Sequence, residues 1–340
     1  MSPTIRLIQA AGLLPSPARV TEPTEPPLRI AVVQHEWRPD AAALTEWLDD
    51  AVDTAAAAGA RIVFLPEITL SRYPADSLPA DTLPGGDASE LAEDLLAGPT
   101  LAFAGRAAVR AGVFVHASLY RVADEGDGLG LNTAILVDPQ GRLVAATDKL
   151  HIPVTAGYYE NRYFRPGSAA PVAAAPGLAA GDPYPVYALD GLGAARLGLP
   201  TCWDEWFPEV ARAYSLGGAN ILAYPTAIGS EPDHPEFDTR PLWQQVIVGN
   251  GIANGLFMVV PNRTGTETRP DGSRGNTFYG SSFVSDPYGR ILVQAPRDEA
   301  CVLVADLDLA QRDDWLDLFP FLATRRPDTY GTLTRPVATE

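Results

Sequence analysis

The chain has 340 residues, of which 46% are hydrophobic, and a formal net charge of −17. That length allows one large domain or two small ones with a sizeable core. No apolar run approaches the span of a bilayer, and an acidic chain without a basic stripe excludes a nucleic-acid partner. Such acidity serves solubility first and a cationic small-molecule substrate second.

The elements alternate along the chain. Residues 1–27 are proline-rich, lack the charged-then-apolar order of a targeting peptide, and read as a loose extension. Leu28–Gln34 reads as a strand. Asp40–Ala58 reads as a helix, because Leu44, Trp47, Leu48, Ala51, Val52 and Ala55 recur at three- and four-residue steps before Gly59 closes it. Strand Arg61–Leu65, helix Thr100–Arg110 and strand Val113–Tyr120 follow, an order that implies a largely parallel sheet with covered faces. The second half repeats the plan: strand Ala194–Leu199, helix Pro208–Leu216, strand Asn220–Ala223, helix Pro241–Asn254 and strand Leu256–Val260.

Each half also carries a hairpin signal, Asp138-Pro139-Gln140-Gly141-Arg142 in one and Asp286-Pro287-Tyr288-Gly289-Arg290 in the other. The repeat predicts two similar β-rich halves packed face to face between helical layers, as one domain over 28–330 with a tail at 331–340. Ser168–Pro185, rich in Ala, Pro and Gly, is the expected loop between the halves.

Four strands run into an apolar–proline–polar step: Leu65-Pro66-Glu67, Leu199-Pro200-Thr201, Tyr224-Pro225-Thr226 and Val260-Pro261-Asn262. Proline has no N–H for the ladder, so pairing stops there and a polar residue stands just beyond the strand's carboxyl end. Ligand sites of α/β sheets lie at those ends.

The two cysteines, Cys202 and Cys301, are far apart, which fits a reducing, cytoplasmic setting and no disulfide framework. No pair among His35, His116, His151 and His234 has metal-ligand spacing. Of 25 basic residues only Lys149 is a lysine. A compact ammonium aims at one oxygen in a way that a planar guanidinium does not.

Cys202 sits in a strand-to-helix turn, where backbone N–H groups and a helix amino end favour a reactive thiolate. Cys301, inside Ala300-Cys301-Val302-Leu303-Val304, reads as an inert core thiol. A nucleophilic thiol needs a proton acceptor. No histidine stands at a strand-end step, so Glu67 is the better placed base. Glu160, among Tyr158, Tyr159, Tyr163 and Phe164, is desolvated unless paired, and Lys149 is its natural partner.

These segments together resemble the nitrilase superfamily of carbon–nitrogen hydrolases. The resemblance runs over residues 28–330 and rests on Phe64-Leu65-Pro66-Glu67, Asp148-Lys149-Leu150-His151 and Thr201-Cys202-Trp203-Asp204, in that order. It implies an α-β-β-α sandwich that pairs into an eight-layered homodimer or higher homo-oligomer. It also implies Glu67, Lys149 and Cys202 as a triad with Glu160 as a second glutamate, and no metal or organic cofactor.

The runs at 149–167, 202–212, 224–232, 261–267 and 277–283 are similar to the N-carbamoylputrescine amidase branch of that superfamily. Glu205 stands where that branch carries Gln, and Pro200 interrupts its usual aliphatic run. The resemblance therefore implies hydrolysis of a small amide or N-carbamoyl amine, placed in polyamine biosynthesis. Glu231 is the expected contact for a substrate ammonium, with Asp233 and Glu205 as alternatives, and Trp203 and Tyr158 wall the aliphatic chain. An Arg263 facing the pocket would argue instead for a carboxylate-bearing ureido acid or amide. A catalytically silent relative is the remaining reading, disfavoured because all three triad residues are present.

Overall fold

The computed structural model describes residues 5–337 apart from 84, 85, 124, 232 and 235. Residues 1–4 of the N-terminal extension and 338–340 of the tail lie outside the described residues. In chain order the strands are β1 (Arg6–Gln9), β2 (Leu28–Gln34), β3 (Ile62–Phe64), β4 (Phe114–Arg121), β5 (Leu131–Val137) and β6 (Leu143–Asp148). They continue with β7 (Tyr187–Ala188), β8 (Arg196–Gly198), β9 (Ile221–Ala223), β10 (Phe257–Val260), β11 (Thr266–Thr268) and β12 (Arg274–Thr277). The last are β13 (Phe283–Ser285), β14 (Ile291–Gln294) and β15 (Cys301–Leu307). The helices are α1 (Ala41–Ala57), α2 (Pro79–Thr82), α3 (Pro99–Ala111), α4 (Pro208–Leu216), α5 (Arg240–Asn254) and α6 (Gln311–Leu318).

One sheet has the order β1-β15-β2-β3-β4-β5-β6 and the other β14-β13-β10-β9-β8-β7. The central pairs β2–β3, β3–β4, β8–β9 and β9–β10 are parallel. Strand side chains alternate between faces, and here both faces are apolar. Ile30 and Val32 point to the inter-sheet core with Phe64, Leu197, Ile221 and Val259. Ala31 and Val33 point the other way, onto Leu44, Leu48 and Phe103 of α1 and α3. On the second sheet Leu222 and Met258 meet Val210, Trp243 and Ile247 of α4 and α5. The layers are therefore helices, sheet, sheet, helices, the α-β-β-α sandwich expected from the sequence.

Local chemistry sets the boundaries. Asp40 caps α1 by accepting from Ala42 N and Ala43 N, and Gly112 ends α3 at φ +68°, a left-handed value that costs glycine nothing. The two hairpin turns use one device. Asp138 accepts from Gln140 N, Arg142 N and Arg142 Nε; Asp286 accepts from Tyr288 N, Arg290 N and Arg290 Nε. That shared geometry makes the internal repeat physical. No element interrupts 168–185, the stretch read as the loop between halves.

The N-terminal extension differs from the loose segment expected. Arg6–Gln9 pairs in parallel with Cys301–Val304 and covers what would be the open edge of β15. Leu14 and Pro15 accept from Gln311 Nε2 and Arg290 Nη1, Ser16 Oγ meets the Tyr288 hydroxyl at 2.7 Å, and Arg19 lies 2.7 Å from Asp308 and 2.9 Å from Asp314. Prolines forbid regular structure here but not anchoring, and an uncovered edge strand is a pairing liability. Replacing Arg19 by Ala is expected to cost about 1–2 kcal/mol, read as a lower midpoint in a urea unfolding curve with an unchanged slope.

Candidate active site

Three strand ends converge at the seam between the sheets. Glu67 follows β3 through Leu65-Pro66, and its N–H donates across the seam to Thr226 O (3.3 Å). Lys149 follows β6, fixed by its N–H on Asn132 O and by its O under Gly167 N, both 2.8 Å. Cys202 opens the 3-10 turn Cys202–Trp206 after β8, with its N–H on Pro225 O (3.0 Å).

The side chains form one buried charged cluster. Glu67 and Lys149 are fully buried and Glu160 is 1% exposed. Lys149 Nζ donates to Glu67 Oε1 (2.9 Å) and to Glu160 Oε1 (2.9 Å) and Oε2 (2.7 Å). Asn132 Nδ2 holds Glu67 Oε1 at 2.7 Å, and the Tyr73 hydroxyl holds Glu160 Oε1 at 2.8 Å. Glu67 Oε2 meets no donor among the described residues, so it is the oxygen free to receive a proton. Although burial alone would discharge the Lys149 ammonium, Glu160 and Glu67 together hold its pKa well above the ordinary lysine value. Burial lifts the Glu160 carboxyl to about 7, against the pull of Lys149. Two carboxylates sharing one ammonium titrate as a unit.

The cysteine has the opposite problem. Cys202 is 6% exposed, and burial, then the Glu67 charge, pushes its thiol well above the usual range while Lys149 pulls it down. Burial therefore favours the thiol over the thiolate, and a thiol so placed needs a proton acceptor before it can act as a nucleophile. Its backbone stands at φ +41°, a region disfavoured for any residue with a Cβ and one that marks ligand and catalytic turns.

Asp204 staples this turn to the other half. Its carboxylate accepts from Thr201 N (3.1 Å), His151 N (2.9 Å) and Leu150 N (3.4 Å), and lies 2.7 Å from His151 Nδ1. The His151 ring stacks on Phe207 at 3.8 Å. One carboxylate thus ties the Cys202 turn to the residues that follow Lys149.

The residues expected to contact substrate fall into different settings. Tyr158 is buried, and its hydroxyl accepts from Gly229 N (3.0 Å). Glu231 is half-buried two residues further on, and burial raises its carboxyl. Trp203 is half-buried and packs on Trp206 with centroids 6.1 Å apart. Glu205 is fully buried. Asp233, the alternative acid, is exposed. Arg263 is not free to meet a substrate carboxylate. It is fully buried, donates to Glu67 O (2.9 Å), Ile68 O and Ser71 O (2.6 Å), and pairs with Glu267. Its guanidinium is consumed in holding the Glu67 loop, where Ile68 has φ +46°, a costly conformation for a β-branched residue.

Sequence reasoning missed Asn132, Tyr73, Asp204 and this buttress. Asn132 had a signal, as a polar amide in the apolar run Leu131–Val137; Asp204 had one as the acid two residues past the cysteine. Tyr73 had none. Among the described residues no group of three or more His, Cys, Asp or Glu is arranged to hold a metal ion, and no helix is long and apolar enough to cross a membrane.

Two outcomes follow from this geometry. Asp204→Ala is expected to lower kcat about 100-fold through misplacement of Lys149 against Cys202, with an unaltered circular-dichroism spectrum; Asp204→Asn should lose less because one acceptor survives. As pH falls through about 7, the value to which Glu160 is raised, the cluster takes up a proton and proton acceptance from the thiol is lost. A kcat/KM profile should therefore show an acid limb there, falling about tenfold per pH unit. Glu160→Gln should abolish that limb, since the raised carboxyl is then gone.

The Carbon-nitrogen hydrolase family model matches residues 29–316. The chain is 32% identical over 309 residues to a citrullinase of Francisella tularensis, covering 91% of this chain and 98% of that protein. It is 36% identical over 241 residues to the N-carbamoylputrescine amidase of Arabidopsis thaliana, covering 69% and 73%. Among solved structures it is similar to a carbon–nitrogen hydrolase from Helicobacter pylori, with TM-score 0.76, 31% identity and 92% and 99% of the two chains covered. It is also similar to an amidase from Nesterenkonia, with TM-score 0.66, 25% identity and 91% and 97% coverage. A matched family model across the sandwich, and relatives that align over 69% to 92% of the chain, lead to one assignment: this chain belongs to the carbon–nitrogen hydrolase family, the nitrilase superfamily, and is a carbon–nitrogen hydrolase close to the N-carbamoylputrescine amidases.

Proposed function

We propose that the chain hydrolyses the carbamoyl C–N bond of a small N-carbamoyl amine carrying a distal ammonium, with N-carbamoylputrescine as the preferred substrate. The supporting observation is the buried Glu67–Lys149–Glu160 cluster, whose charges act on the buried Cys202 thiol. Glu67 Oε2 takes the thiol proton as Sγ bonds to the carbamoyl carbon. Lys149 Nζ and the Trp203 N–H stabilise the oxyanion, and one preorganised donor of this kind is worth ~3 kcal/mol. The intermediate collapses, its C–N bond breaks, and Glu67 returns the proton to the departing amine. Water, deprotonated by the same Glu67, then cleaves the thioester-type carbamoyl–sulfur bond. Carbamic acid leaves and falls to CO2 and ammonia. Glu160 orients Lys149 throughout. No cofactor enters any step.

For the substrate's far end, Glu231 is the proposed partner of the ammonium, with Tyr158 and Trp203 along the aliphatic chain. Arg263, the residue that would have met a substrate carboxylate, is occupied by Glu267 and three backbone carbonyls. That supports an amine-ended substrate. A second reading, a ureido amino acid such as citrulline, is favoured by the citrullinase relative. We further propose that the sandwich works as a homodimer or higher homo-oligomer in the cytoplasm.

The test is ammonia release from N-carbamoylputrescine, citrulline, N-carbamoyl-β-alanine and simple amides, with Cys202→Ala as the blank. N-carbamoylputrescine is expected to lead, and Glu231→Gln to lower its kcat/KM about 10–100-fold, mainly through KM, as for loss of one charged hydrogen bond. A neutral amide should be indifferent to that change. Citrulline turned over as well as N-carbamoylputrescine would overturn the amine-ended reading and keep the cysteine chemistry.

A further inference from the structure

Glu205 is a carboxyl where none is needed for the reaction above. It stands three residues after Cys202 in the 3-10 turn Cys202–Trp206. That helix has three residues per turn, so positions i and i+3 eclipse, and Glu205 lies on the face that carries the sulfur. It is fully buried. Neither carboxyl oxygen meets a donor in hydrogen-bond geometry among the described residues. Its backbone is pinned, with Asn250 Nδ2 of α5 donating to Glu205 O at 2.9 Å, so the side chain is held in this setting rather than swung out to water.

The groups facing it leave no counter-ion to spare. From its own turn come Cys202 and Asp204, from the end of β3 Glu67, and from the end of β6 Lys149, whose three protons already serve Glu67 and Glu160. Tyr224 beyond β9 and Tyr279 before β13 face it with neutral phenols, and α5 presents the Trp243 indole N–H, which leans on the carboxyl without closing a bond of normal geometry. An isolated buried carboxylate is costly, and such a group keeps its proton instead. Burial accordingly raises Glu205 well above the ordinary carboxylate value, with Glu67 adding to the rise.

We propose that Glu205 is a positioning residue carried as a neutral acid on the nucleophile's face of the turn, and that a negative charge placed there suppresses the Cys202 thiolate. This rests on Cys202 being the nucleophile. The step is a proton equilibrium alone: Glu205 releases H⁺ to solvent, the new negative charge sits beside the sulfur, and loss of the S–H proton becomes harder. While it keeps its proton the acid is silent.

The experiment reads the thiol without any substrate. The intact protein and E205Q are treated with iodoacetamide from pH 6 to 10, and alkylation of the Cys202 peptide is followed by mass spectrometry. The expected result is coincident rates at the acid end of the range and a gap that opens as pH rises, E205Q reacting faster by about tenfold for each pKa unit that the ionised carboxyl adds to the thiol. Curves that coincide throughout would overturn the proposal, because Glu205 would then not act on the sulfur. A constant offset from pH 6 upward would overturn it too, because the carboxyl would be charged at every pH.

Thermal unfolding of the same two proteins supplies the second readout. A buried acid whose folded pKa is raised contributes stability below its unfolded value, near 4.5, and loses it as pH rises toward the folded value. Gln has no such titration, so Tm of E205Q minus that of the unaltered protein should grow with pH above about 4.5. A difference independent of pH would sink the neutral-acid assignment. A gap in alkylation together with full turnover by Cys202→Ala would separate the two claims: the coupling would stand and the nucleophile reading would fall.

Discussion

The structure turns on one ammonium placed where water cannot reach it. Lys149 Nζ has three protons and three acceptors: one oxygen of Glu67 and both oxygens of Glu160. Burying an ion costs several kcal/mol even after relaxation, and the cost is recovered only when every donor is used. Here every donor is used. Removal of one partner would leave a bare charge, at about 3–5 kcal/mol. That requirement fixes where the ends of β3 and β6 and the turn at Glu160 must stand relative to each other. It also explains why the chain keeps one lysine among its arginines: a planar fork with five donors would leave some unmet in this space.

The second constraint is that the site is built across a seam. The first sheet supplies Glu67 and Lys149 and the second supplies Cys202, so the inter-sheet core must hold their separation. Polar staples take over where that core ends. Glu67 N donates to Thr226 O, Asp204 ties the Cys202 turn to residues 150 and 151, and Asn276 Nδ2 reaches Gly157 O at 2.9 Å. Arg263 crosses from the second half to grip the carbonyls of Glu67, Ile68 and Ser71. Its position in a strand-end step made it look like a ligand group. The same position, one residue past Pro261-Asn262, lets it reach the back of the Glu67 loop instead.

This contrast shows what the sequence could and could not convey. Elements with a clean period were legible: α1, α3, α4 and α5 lie within one or two residues of their expected bounds, because their apolar stripes have only one face to meet. The proline steps marked where β3 and β8 end and Glu67 and the Cys202 turn begin, because the loss of one N–H is a local fact. Glu160 was legible through desolvation, since a carboxylate among aromatic rings must find a cation. Partners defined by three-dimensional approach were not. Tyr73 bonds Glu160 across 87 positions and Asn132 bonds Glu67 across 65, and no local pattern carries such a pairing. The N-terminal extension misled for a related reason. Its prolines report the absence of regular hydrogen bonding, whereas the order of Arg6–Gln9 comes from the open edge of β15 at the far end of the chain.

The charges around the sulfur bring these points together. With both carboxyls ionised, Glu67, Glu160 and Lys149 leave the buried cluster with one net negative charge. A thiolate would add a second and an ionised Glu205 a third, in a medium that screens poorly. Protons kept on Sγ and on Glu205 avoid that accumulation of charge. In the proposed reaction the thiol proton moves to Glu67 only as negative charge develops on the substrate oxygen beside Lys149, so the ammonium gains a partner at the moment Glu67 stops being one. The total charge near Lys149 then changes little between resting site and tetrahedral intermediate, and a site that need not reorganise its surroundings is the condition under which fixed dipoles and charges lower a barrier most.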